Sequence, residues 1–197
     1  RDGSLRGYYK IGQDQTERKQ NQDQQAFLLE LSDALRPLST VEEIAVEAAH
    51  RLGRTLNADR VIYGAIRDGE MNVSAEHAVG VVSLLGRHQL ASLGANFLAG
   101  YKAGKMVTSN DVATEAGMNA TGKAGLLDRQ VAAFADLVIF DDGSVVNFLG
   151  VQSASPRAWT AVDQFVIREV GERVRVAIER AGAEGGRRES EARLRQV

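Results

Sequence analysis

The stretch VAAFADLVIFDDGSVVNFLGVQS, residues 131–153, decides how the chain is read. Two β-favouring runs flank Asp141-Asp142-Gly143. Asp-Gly between apolar runs marks a tight hairpin, because glycine tolerates the positive φ such turns need. Asp136 interrupts the first run and can face solvent on the alternate side of the strand. A second pair of the same kind stands upstream, RVIYGAIRDGEMNVSAEHAV, residues 60–79, around Asp68-Gly69. Val61, Ile62, Tyr63 and Ile66 make its first run β-favouring with apolar residues on both faces.

Helices lie outward from the two hairpins. VEEIAVEAAHRLGRTL places Ile44, Ala48, Leu52 and Leu56 on one face, behind a capping box of Thr40 and Glu43. After Pro156 the apolar positions Val162, Val166, Val170, Val174, Ala177 and Ala181 step by three or four, which predicts another helix. Gly182, Gly185 and Gly186 predict a weak joint in it, since each glycine costs roughly 1 kcal/mol against alanine. Upstream, Leu28, Leu31, Leu35 and Leu38 form a short seam, which fits either a coiled coil or packing on the chain's own domain. Pro37 should stop that helix near Leu35 or Arg36.

The remaining segments read less regularly. Residues 1–13 suggest a turn at Asp2-Gly3 and a strand through Leu5, Tyr8, Tyr9 and Ile11. A helix would then start at a capping box of Asp14 and Glu17. Residues 79–92 look irregular, GANFLAGYKAG a short helix, KMVTSNDV a short strand and NATGKAGLLDR a glycine-spoiled helix or turn. The order helix, helix, hairpin, helix, strand, hairpin, helix predicts an α+β fold, a mostly antiparallel sheet flanked by helices.

That order resembles a GAF domain of a bacterial multidomain sensor over about residues 24–181. The resemblance rests on QAFLLELSDALRPL, ADRVIYGAI, AGKMVTSNDV and FADLVIFDDGSVVNFLGVQSASPRAWT. DGSLRGYYKIGQDQTERK resembles the last strand of a PAS domain with its Asp-x-Thr exit, here Asp14 and Thr16. RRESEARLRQV is similar to a helix leading into a further PAS domain or a kinase dimerisation helix. The implied organisation is a PAS remnant and helix start at 1–19, a linker helix at 20–38, the GAF domain at 39–181 and an outgoing helix at 182–197. The implied context is a two-component sensor histidine kinase in the cytoplasm, with neighbouring PAS and kinase modules and a homodimer formed through the terminal helices.

Composition narrows the chemistry. The chain has 197 residues, a formal net charge of -2 and 44% hydrophobic residues, the balance of a globular domain without a pull towards nucleic acid or lipid. There is no cysteine, which removes disulfides, thiolate metal sites, cysteine nucleophiles and thioether-linked cofactors. No apolar run reaches the ~20 residues of a membrane span, so neither nucleic acid nor membrane is an expected partner. Three scattered histidines, His50, His77 and His88, form no metal cluster and no kinase histidine box. GMNATGKAG lacks the spacing of a phosphate loop, and no nucleophile–base pair is visible. The fragment is therefore expected to be non-catalytic and to carry no cofactor. Within the GAF resemblance, the phytochrome branch often binds its tetrapyrrole through a cysteine and carries Asp-Ile-Pro, and the cyclic-nucleotide branch carries an Asn-Lys-x-Phe-Asp-Glu signature; none is present.

The leading expectation is a non-catalytic sensory relay module. The alternative is a sensor whose input is a small metabolite held between the sheet and its covering segments. Candidate polar residues for such a pocket are Tyr63, His77, Arg87, Asn110, Asp111, Arg129, Asp136 and Gln152, with Phe97, Tyr101 and Phe134 as apolar walls. Asn110-Asp111 reads equally as a turn bonding its own backbone.

Overall fold

Both hairpins form, and they pair through their apolar strands. The computed structural model describes residues 4–89, 99–101, 103–104, 106–141 and 144–194. β1 (Arg60–Arg67) and β2 (Glu70–Ala78) meet at Asp68 and Gly69, whose φ values of 52° and 79° fit a turn twisted to match the strands. β5 (Ala133–Asp141) pairs with β6 (Ser144–Ser153) antiparallel; the turn between them lies outside the described residues. β1 also pairs with β6, while β3 (Gly86–Gln89) and β4 (Val107–Ser109) close the edges. The result is a six-stranded sheet in the order β3-β2-β1-β6-β5-β4, with every described pairing antiparallel.

Helices cover one face. α1 (Ser4–Leu35), α2 (Val41–Leu56) and α4 (Ala161–Leu194) bury their stripes against Val61, Tyr63, Ala135, Leu149 and Val151. The α2 stripe is as the sequence predicts, and its capping box is present with Thr40 Oγ1 accepting from the Glu43 amide at 3.2 Å. Its end is set by Asn57 in the left-handed region, φ 47°, where Ala58 N–H bonds the Gly53 carbonyl. α4 starts on Thr160, which exchanges bonds with Asp163 in the same manner.

The second face carries its own core of Ile62, Val73, Leu84, Val112, Phe134 and Phe148, under α3 (Ala120–Asp128) and the segment from 79 to 89. A bulge between Tyr63 and Gly64, opposite Ser74, shifts the β1–β2 register. It sends Ala75 to the helix side and Val73 to the other face.

Two expectations need correcting. Residues 5–11 are not a strand: α1 runs unbroken from Ser4, and Asp14 lies within it rather than at its start. A lone strand would leave its backbone groups without a ladder, whereas a helix satisfies them internally. Residues 86–89 are not irregular but form the edge strand β3. Gly182, Gly185 and Gly186 lie within α4. Pro37, by contrast, stops α1 at Leu35 as expected. The leucine seam packs on its own domain: Leu28, Leu31 and Leu35 are buried with Val174, Ala177 and Ala181 of α4. Two arginines fasten this contact. Arg173 Nε donates to the Leu28 carbonyl at 3.3 Å, and Arg180 donates to the carbonyls of Leu35, Arg36 and Leu38. These acceptors lie at and just beyond the C-terminus of α1, where carbonyls lack helical partners. No described helix is long and apolar enough to cross a membrane.

Candidate functional site

Strand periodicity builds the site. On β5 the even positions Phe134 and Asp136 face away from the helices, and on β6 so do Phe148, Gly150 and Gln152. Gly150 pairs directly with Asp136 across the strands. A Cβ there would lie 2.6 Å from Asp136 Oδ1 and 3.0 Å from Ile62, so only glycine lets the carboxylate lie over the sheet. Above this face is a cavity of about 330 Å³. Its apolar lining comes from Ile62, Met71, Leu84, Leu126 and Phe134, and its polar lining from Arg87, His88, Tyr101, Arg129, Asp136 and Gln152. On α3, Gly122 and Gly125 present backbone where side chains would otherwise fill the space.

The innermost polar pair is Tyr101 and Asp136. The Tyr101 hydroxyl donates to Asp136 Oδ2 at 2.6 Å, while Oδ1 is buried without a partner among the described residues. Burial pushes the Asp136 carboxyl up to about 7, with the Tyr101 bond opposing. The Tyr101 phenol is driven well above its ordinary value, first by burial and then by the neighbouring carboxylate. Near neutral pH this pair can therefore either accept or donate a hydrogen bond.

A buried arginine, which the sequence reading did not single out, supports the cavity. Arg60 is 1% exposed. It donates to Gln152 Oε1 at 2.8 Å, to the Val82 carbonyl at 2.6 Å and to the Arg129 carbonyl at 3.1 Å, and its Nε lies 3.4 Å from Glu76 Oε1. Burial lowers the Arg60 pKa, with Glu76 and Asp59 opposing. Glu76 in turn accepts from the Leu84 amide and the Ser83 hydroxyl. One ion pair thus ties β1, β2 and β6 to the two segments that carry Leu84 and Arg129 to the cavity.

Six of the eleven candidates line this space: Arg87, Tyr101, Arg129, Phe134, Asp136 and Gln152. Phe97 lies outside the described residues. The other four sit elsewhere. Tyr63 is on the helix-covered face, one residue out of phase with Ile62. Among the described residues its hydroxyl is buried without a partner, and burial raises its pKa to about 12. His77 lies against Gly53 of α2 and stacks edge-on with His50 at 5.1 Å, because the bulge at Ser74 turns its side of β2 to the helices. Asn110 accepts from the Trp159 amide at 3.1 Å and holds the entry to α4. Asp111 makes an Asx turn, accepting from the Ala113 amide at 3.0 Å. Tyr63→Phe is expected to raise stability by about 1 kcal/mol, since it deletes an unpaired buried hydroxyl. A loss of stability in urea unfolding would show that the hydroxyl is satisfied.

Among the described residues no group of acidic or histidine side chains could hold a metal ion.

A six-stranded antiparallel sheet with helices on one face and a covered cavity on the other is the fold of a GAF domain. No protein-family model matches the chain, and no curated protein matches it. Solved structures do. The phycoerythrobilin-bound GAF domain from a cyanobacterial phytochrome superposes with a TM-score of 0.72 at 18% identity, over 82% of this chain and 97% of that one. Bacteriophytochrome RpBphP3 from the photosynthetic bacterium R. palustris also gives 0.72, at 15% identity, over 86% of this chain and 40% of that one. The GAF domain from Acinetobacter phosphoenolpyruvate-protein phosphotransferase gives 0.63 at 13% identity, over 83% and 97%. At such identities the likeness is one of fold.

Proposed function

We propose that this chain is a ligand-sensing GAF module of a signalling protein. A small molecule in the cavity is the input, and α1 and α4 are the connections to neighbouring modules. The observation that carries this reading is the cavity, with convergent polar groups around a buried, unpartnered carboxylate oxygen. A sheet face packed solid with apolar side chains would instead suit a passive relay. The relay half of the reading is supported by the clasp of α4 on the end of α1. An upstream PAS module is supported by the Asp14 and Thr16 resemblance alone. A downstream kinase, a homodimer through the terminal helices, a non-catalytic role for the fragment and a cytoplasmic location rest likewise on the sequence.

One of the structural neighbours is bilin-bound by its description. The residues here do not fit such a group. The chain has no cysteine to tether one, and about 330 Å³ is at the small end of ligand cavities. A smaller metabolite is the reading.

Ligand occupancy has to move an equilibrium. Going from mostly off to mostly on takes roughly 5.5 kcal/mol of differential binding, so a loosely held metabolite works only on a parent protein poised near balance. Native mass spectrometry of the purified chain is expected to show a dimer carrying a discrete non-covalent added mass. A chain that never carries added mass, and whose unfolding temperature no small-molecule extract raises, would overturn the sensing reading.

A further inference from the structure

Charge is unevenly distributed around the cavity. Arg87 on β3 and Arg129 at the end of α3 line it, and both are solvent-exposed. Among the described residues neither guanidinium meets a carboxylate. Among the described residues the Arg87 side chain makes no hydrogen bond or ion pair, and the side-chain bond of Arg129 is to the Gly125 carbonyl of its own helix at 2.7 Å. Glu76, which could have neutralised them, is committed to Arg60, Ser83 and Leu84. A planar guanidinium presents a fork that matches a carboxylate, so two of them without an internal anion favour an acidic guest.

The buried end of the lining has the opposite need. Asp136 Oδ2 is satisfied by Tyr101, but Oδ1 is buried with no donor. An unsatisfied buried acceptor is costly, and a ligand N–H would relieve it. Much of the remaining lining is apolar, and Gly122 and Gly125 place backbone on the α3 side beside Leu126. At about 330 Å³ the cavity is at the small end of ligand cavities, room for one or two fused rings.

Resting on the sensing reading above, we infer that the cavity binds a small heteroaromatic carboxylate, its acid group at Arg87 and Arg129 and a ring N–H at the Asp136 carboxylate. The two ends of such a molecule answer the exposed guanidinium groups and the unsatisfied buried carboxyl oxygen, and its flat body suits the apolar lining between α3 and the sheet.

The test is a titration of the ¹⁵N-labelled full chain, followed by amide shifts, with three matched probes. Indole-5-carboxylate carries both poles, indole lacks the acid, and 1-methylindole-5-carboxylate lacks the N–H. The first is expected to shift amides of β5, β6 and α3 and to bind about tenfold more tightly than either control, the worth of one hydrogen bond to a charged group. Arg87→Gln with Arg129→Gln, both at exposed positions, should erase its advantage over indole. Indole binding as well as its carboxylate would overturn the ligand class while leaving the sensing reading intact. Equal binding of the N-methyl probe would overturn the place given to Asp136. No shift from any of the three at millimolar concentration would overturn this inference and leave the sensing reading standing.

Discussion

Asp136→Asn is expected to make the protein more stable than the parent at pH 8 and to flatten its stability between about pH 4 and pH 7. Burial raises this carboxyl from an ordinary value of 3.8 to about 7 in the fold. Between those limits the native state holds a proton that the unfolded chain has released. Stability from this group is therefore full below about pH 4 and is lost as pH rises through 7. About three pH units at 1.36 kcal/mol each set a ceiling of roughly 4 kcal/mol, and water entering the cavity reduces it. Asparagine keeps the shape and an acceptor for Tyr101 but does not ionise. His77 works in the other direction: burial, then His50 and Arg54, lower its pKa, so its contribution falls as pH drops below about 6.5. The quantity to compare is the difference between the two proteins' urea-unfolding curves across pH, in which His77 cancels. A difference that stays constant from pH 4 to pH 8 would mean that Asp136 is ionised and solvated in the fold.

Arg60→Met is expected to cost about 3–5 kcal/mol, the range for breaking one side of a buried ion pair. Methionine can occupy much of the same volume, so the loss would be electrostatic rather than a packing defect. Glu76 would keep its bonds to Ser83 and Leu84 but lose its buried cation. The carbonyls of Val82 and Arg129 and the Gln152 amide oxygen would lose their donor as well. Arg60→Met with Glu76→Gln should recover part of the loss, because no uncompensated carboxylate is then buried. Thermal unfolding of the single and double variants decides it; equal destabilisation would mean that the pair contributes only its hydrogen bonds to the backbone.

How far the sequence could be read depends on whether the signal is local. The Asp68-Gly69 turn, the Thr40–Glu43 box and the stop at Pro37 are set by neighbouring residues, and each was legible. So was the face of β5 and β6 that bears Phe134, Asp136 and Gln152, because strand alternation fixes it once the hairpin is recognised. The failures depend on what lies across the fold. Tyr63 and Ile62 are equally apolar, and only the covering helices decide which of the two faces the cavity. His77 would have followed the alternation of β2, but the bulge at Ser74 reverses it, and no residue type announces that bulge. Residues 5–11 have β-favouring side chains and no strand to pair with, so the backbone takes the conformation that satisfies itself. Arg60 carried no warning, since arginines at strand ends are ordinarily exposed. A clue existed in retrospect: Arg60 and Glu76 take cavity-side positions on paired strands.

The clasp between α1 and α4 joins residues far apart in the chain; Arg173 and Leu28 are 145 positions apart. Any torque arriving along α1 would pass to α4 directly, through arginine and leucine contacts, without crossing the sheet. A change at the cavity would reach α4 from β5, where Leu137 lies under Gly171. Two independent signals would then converge on a single outgoing rod. The module would act less as a switch thrown by one molecule than as an adder, whose output reports upstream motion and cavity occupancy together.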